Sequence, residues 1–264
     1  MISSYAYLFV YHGSRDCRTQ AAAIELKKSL IANQSKGILT QHNYLKKLTA
    51  RDKLKSAPAA NLSQPPLIEI APLELATETL SDRLTNFARQ ACWRGLKQIE
   101  VVPLFLAPGV HVQSDIPTEI AIARKQIDCQ VTIELSPYLG KFSAIGNLIV
   151  RQFDELSTRT RILVAHGSKL PATTEYYRNL STQLNIDIAF WSGRPRFDQQ
   201  IRAKIASGSK KIALLPYFLF PGRITSAIAA EIAELQQEFS QVELLLGKPL
   251  GATPMLAESI AREV

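Results

Sequence analysis

A chain of 264 residues with 46% hydrophobic residues has apolar material for one large core or two small ones, and 20% charged residues argue against general disorder. No apolar run reaches bilayer length, and Met1-Ile2-Ser3-Ser4-Tyr5 enters an apolar stretch without the features of a secretory signal, so a cytoplasmic protein with no membrane partner is expected. The net charge of +8 suits an acidic partner without selecting its kind.

The first strand is predicted at about 6–11 and ends in Val10-Tyr11-His12-Gly13-Ser14-Arg15. Ser14 is expected to cap the helix that follows, whose N-terminus favours negative charge. A polar, basic insertion comes next, about 34–66, holding His42 and the run Lys46 to Lys55 and closing on Ser63-Gln64-Pro65-Pro66. It is read as a partly ordered helix plus loop, with the charge run a solvated face. Strands follow at about 67–71, 98–106 and 130–135, the second of these leading into Pro108-Gly109-Val110-His111. Polar residues near Leu156 to Thr160 separate a helix from the next strand.

From there the pattern repeats. Val164-Ala165-His166-Gly167-Ser168-Lys169 echoes the first strand end. Leu215-Pro216-Tyr217-Phe218-Leu219-Phe220-Pro221-Gly222 echoes Val102 to Gly109, and Leu246 to Gly251 echoes Leu135 to Gly140. Strands are predicted at about 160–165, 186–191, 211–219 and 241–246, with a helix over Ile224 to Phe239 whose Ile228, Ile232 and Leu235 share one stripe. Apolar strands alternating with helices imply an α/β fold of two similar domains, 1–157 and 158–264, each with a parallel four-stranded sheet flanked by helices. Ligands of such sheets lie outside the carboxyl ends of the strands, where both His-Gly-Ser motifs and both Pro-Gly turns fall.

His12, Glu74 in Leu73-Glu74-Leu75-Ala76, and His111 therefore belong to one rim, and two imidazoles with a carboxylate suit a divalent metal. The second half offers His166, but Ile224 stands for His111 and a position near Ser192 stands for Glu74. His166 is read as a structural remnant. Cys17, Cys92 and Cys129 form no CxxC pair, are read as reduced thiols, and support neither an iron–sulfur cluster nor a cysteine zinc site. GxGxxG, GxxxxGK[ST] and G-x-S-x-G are absent. No aromatic residues interleave the basic run, and no nucleic-acid partner is expected.

His-Gly-Ser-Arg at 12–15, Leu-Glu-Leu-Ala at 73–76 and Pro-Leu-Phe-Leu-x-Pro-Gly-x-His-x-x-x-Asp-Ile-Pro at 103–117 together resemble the class II tetrapyrrole chelatases, the sirohydrochlorin cobalto- and ferrochelatases. The resemblance spans nearly the whole chain and implies the long form, two fused halves facing each other across a cleft. It implies His12, His111 and Glu74 as metal ligands and catalytic residues. Ser14, Arg15, Pro108 and Gly109, on the turns that carry the histidines, are read as contacts for the substrate. Where the family often has a second acidic residue and a proline, this chain has Thr77 and Glu78. The implied activity inserts Fe2+, for siroheme, or Co2+, for cobalamin, into sirohydrochlorin or a related tetrapyrrole. The metal is then a substrate, with no permanently bound cofactor, and the chain a monomer with an oligomer left open. A nickel-inserting chelatase and a non-catalytic metal or tetrapyrrole carrier are the alternatives.

Overall fold

The computed structural model describes residues 5–35, 67–251 and 254–264. Beyond its first two positions, the basic insertion with His42 and Lys46 to Lys55 lies outside the described residues. All eight expected strands form: β1 (Tyr5–Tyr11), β2 (Leu67–Pro72), β3 (Gln98–Pro103), β4 (Thr132–Leu135), β5 (Thr160–Ala165), β6 (Asp187–Phe190), β7 (Lys211–Pro216) and β8 (Glu243–Leu246). They make two wholly parallel sheets of the same order, β2-β1-β3-β4 and β6-β5-β7-β8. β3 and β7 stop at Pro103 and Pro216, short of the expected 106 and 219. A proline cannot donate the next ladder bond, and the chain turns out over the rim there.

The strand order places the helices. The chain leaves β1 in one direction to reach β2, then crosses back over β1 to β3. Connections of one hand put helices from opposite directions on opposite faces of the sheet. Helix α1 (Cys17–Ser35) accordingly covers one face, while α2 (Leu80–Trp93) and α3 (Ile116–Gln126) cover the other. β1 is buried on both sides. Tyr7, Phe9 and Tyr11 meet Ala23, Leu26 and Leu30 of α1, and the alternate residues Ala6, Leu8 and Val10 meet Leu84, Phe87 and Ile120 of α2 and α3. The second half repeats the scheme. Helix α5 (Pro171–Leu184) lies inside, while α6 (Phe197–Ala206) and α7 (Arg223–Glu238) lie outside, with Ile228, Ile232 and Leu235 buried as their spacing predicts.

Each half lends its last helix to the other. Helix α4 (Ser143–Glu155) closes the first half yet packs on β7 and α5, and α8 (Pro254–Glu263) closes the second yet packs along α1 and α4. One continuous core joins the inner faces of both sheets, from Phe9 and Val102 to Leu163 and Leu215. No helix among the described residues is long and apolar enough to cross a membrane.

The cysteine expectation is corrected. Cys92, at the end of α2, is disulfide-bonded to Cys129, in the loop before β4, with Cα atoms 6.6 Å apart; Cys17 is free and exposed. The two lie 37 residues apart in sequence, and only the side-by-side packing of α2 and α3 brings them together.

Candidate metal centre

In the first sheet β1 lies between β2 and β3, and the chain reverses its direction of travel there. This reversal opens a crevice at the carboxyl ends of the three strands. The backbone ladder continues past the strands: Leu73 N–H donates to Tyr11 O at 2.7 Å, and Glu74 N–H to His12 O at 3.0 Å. Gly13, at a φ of +98°, lets the two segments approach this closely. A β-carbon there would lie 2.1 Å from Glu74 O. Glycine at this position serves the protein's own backbone, which passes where a side chain would be.

His111 opens a short π-helix, His111–Asp115, closed by the Ile116 N–H to His111 O bond. Such widened turns frequently sit at functional sites. Here the winding sets the His111 Nδ1 2.7 Å from Asp115 Oδ2. Pro117 then stands in the first turn of α3.

The three expected ligands converge. One ligand atom each from His12, Glu74 and His111 lies within 4.8 Å of the others. His12 Nδ1 is 3.9 Å from one Glu74 oxygen, and His111 Nδ1 is 3.7 Å from the other. The imidazoles meet edge to face at 4.7 Å between centroids, and the Phe105 ring supports His111 at 5.7 Å. The side chains of His12 and Glu74 are about half exposed and that of His111 about a quarter. Three such ligands with open positions beside them can hold a divalent ion and still release it.

A groove of about 420 Å³ runs from Glu74 along Leu75 to Leu80 and past Asp115 and Glu119. Its other carboxylates have partners: Glu78 faces Arg83 at 3.7 Å, Glu119 accepts from Ser81 N–H at 2.7 Å, and Asp115 binds His111. In the sequence Asp115 stands out only as part of a motif. Its spacing of four from His111, on a helix, was the available signal. Leu75, beside Glu74, is exposed and adopts a φ of +59°, uncommon for a non-glycine residue.

The remaining candidates divide. Arg15 is exposed on the rim. Ser14 does not cap α1; its Oγ accepts from Asp16 N–H at 3.0 Å, and Asp16 is the cap, accepting from Arg18 N–H at 3.0 Å. Arg18 holds the Asp16 carboxyl below its usual range, with Arg223 adding to the effect. Pro108 O accepts from Gln113 and, across the halves, from Thr173 Oγ1 at 2.9 Å. Gly109 has open space around it. In the second half, Ser192 N–H donates to His166 O at 2.8 Å and Tyr217 N–H to Val164 O at 2.8 Å, matching Glu74 to His12 and Leu104 to Val10. Ser192 thus takes the place of Glu74 and Ile224 that of His111, and among the described residues no second metal-ligand cluster forms.

Two parallel α/β halves of one topology, exchanging their last helices around a His–Glu–His rim, define the class of molecule. The CbiX family model matches residues 51–156 and 160–264, and the chain belongs to that family. It is 25% identical over 212 residues to the sirohydrochlorin ferrochelatase of Priestia megaterium, covering 75% of this chain and 77% of that protein. To the sirohydrochlorin cobaltochelatase of the same organism it is 23% identical over 186 residues, 64% of this chain and 60% of that one. The fold superposes on the sirohydrochlorin chelatase SirB from Bacillus subtilis subspecies spizizenii in complex with cobalt, with a TM-score of 0.69 at 20% identity over 100% of this chain and 94% of that one. The family resemblance and the α/β fold of two four-stranded parallel sheets are borne out.

Proposed function

We propose that the chain is a sirohydrochlorin chelatase, a lyase inserting Fe2+ or Co2+ into a polycarboxylate tetrapyrrole. The observation that carries the reading is the convergence of His12, Glu74 and His111 at the switch point of the first sheet. The ferrochelatase and cobaltochelatase relatives supply the substrate class.

In the net reaction one divalent ion enters the macrocycle and two pyrrole N–H protons leave. His12, His111 and Glu74 hold the incoming ion, and each imidazole nitrogen freed as the ion passes to the macrocycle takes up one of the two departing protons. Asp115 acts through His111. With Nδ1–H donating to that carboxylate, Nε2 keeps the lone pair a metal needs, and the ring is fixed in orientation. The exposure of His12 and Glu74, each about half, favours transfer over storage. Imidazole and carboxylate do not by themselves distinguish iron from cobalt.

Anaerobic incubation with sirohydrochlorin and Fe2+, Co2+ or Ni2+ in separate cuvettes, followed in the visible spectrum, tests this. The expected result is repeated turnover with Fe2+ or Co2+. Saturation at one equivalent would mean a carrier, and turnover with Ni2+ alone would mean the nickel-inserting alternative.

A further inference from the structure

The second half keeps the rim but reverses its charge. The matched hydrogen bonds equate His166 with His12, Ser192 with Glu74, and Tyr217 with Leu104. Counting along the chain from these anchors, Lys169 takes the place of Arg15, Arg194 that of Ala76, and Arg223 that of Val110. Asp115 is matched by Ile228, which is buried in the outer core. The acidic members of the first rim are therefore gone from the second, and two neutral positions have become arginines. All three cations are exposed. Among the described residues neither Lys169 nor Arg194 has an ion-pair partner, whereas Arg196 nearby is bonded to both Glu231 and Asp198.

The two rims are tied together at their Pro-Gly turns. Thr19 Oγ1, on α1, donates to Pro221 O at 2.8 Å, and its counterpart Thr173 Oγ1, on α5, donates to Pro108 O at 2.9 Å. Arg18 adds a bond to Ser226 Oγ at 2.9 Å. Each half's first helix thus grips the other's Pro-Gly turn. Arg223 stands on the turn held by α1, the helix that follows His12. Lys169 leads into α5, the helix that holds the turn before His111. Arg223 and Lys169 consequently stand next to the two contacts that join the halves, and Arg194 lies on the loop after β6.

We propose that the rim of the second half is a carboxylate-binding site in which Lys169, Arg194 and Arg223 hold acidic side chains of a tetrapyrrole while the first rim addresses its nitrogens. This rests on the proposed function for its substrate class. Guanidinium groups suit carboxylates because their planar donor fork matches both oxygens. The site gives the second rim, which has the same turns but no metal-ligand cluster among the described residues, a use for them in holding anions.

The test is metal-free binding, read by fluorescence, of a porphyrin octacarboxylate and of a porphyrin dicarboxylate to the full chain and to Lys169→Gln/Arg194→Gln. Co2+ titration of the His–Glu–His ligands is measured alongside. The double variant should bind the octacarboxylate about tenfold more weakly or worse, the dicarboxylate within about twofold of wild type, and Co2+ unchanged. Arg223→Gln should act in the same direction, and Arg194→Lys should restore part of the loss. Equal octacarboxylate affinity in wild type and double variant would overturn the proposal, as would wild type failing to bind it. If wild type fails to metallate sirohydrochlorin yet the octacarboxylate loss appears, the chelatase reading falls and the carboxylate site stands.

Discussion

Gly13 is the residue on which the geometry of the rim most depends, because its φ of +98° and the 2.1 Å approach to Glu74 O leave no room for a side chain. Gly13→Ala should cost about 2 kcal/mol or more in urea unfolding and should weaken Co2+ binding by displacing Glu74. Gly109→Ala, with open space around it, should stay within about 0.5 kcal/mol of wild type. Asp115→Asn keeps the size of the side chain but removes the charge beside His111. Metal affinity should fall roughly 10- to 100-fold, measured by Co2+ titration, with little change in unfolding midpoint. The convergence of His12, Glu74 and His111 is legible in the sequence because Gly13 and the Pro108-Gly109 turn punctuate strand ends, and parallel sheets put their sites there. The π-winding at His111 to Asp115 is not, since one extra residue in a turn leaves no mark on hydrophobic spacing.

Among the elements, the strands could be anticipated because buried parallel strands are continuous apolar runs. Which sheet a helix covers could not. The apolar stripes of α4 and α8 say that one face is buried, but not that each packs on the opposite half. The contact between halves is also polar in a way that spacing does not reveal. Tyr217 Oη lies 3.1 Å from Leu106 O and 2.7 Å from Tyr176 Oη, which lies 3.2 Å from Gly140 O, so the two phenol protons are shared among three contacts. Burial pushes the Tyr176 phenol up to about 12, and the Tyr217 phenol is also raised by burial. An unfolded tyrosine titrates near pH 10, so the fold binds the neutral phenols more tightly. Their contribution is complete below about pH 10 and is lost as pH rises through the folded value. Unfolding midpoints should therefore fall between about pH 10 and about pH 12, and less steeply in Tyr176→Phe. A midpoint flat across that range would contradict this account of the interface.

For the molecule as a whole, the repeat in sequence becomes a repeat in space with different side chains at the two rims. The first rim holds His12, Glu74 and His111, and the second carries Lys169, Arg194 and Arg223 beside the matching positions His166, Ser192 and Ile224. A net charge of +8 adds a long-range attraction for an acidic macrocycle. Raising salt should raise KM for sirohydrochlorin, since screening shortens that attraction; a KM indifferent to salt would remove steering from the account. If the metal chemistry belongs to one half only, His111→Ala and His166→Ala must differ in anaerobic metal insertion, each variant being checked for native circular dichroism. Substitution of His111 should greatly reduce turnover, and substitution of His166 should leave most of it. Wild-type turnover without His111, or complete loss without His166, would place the metal chemistry elsewhere.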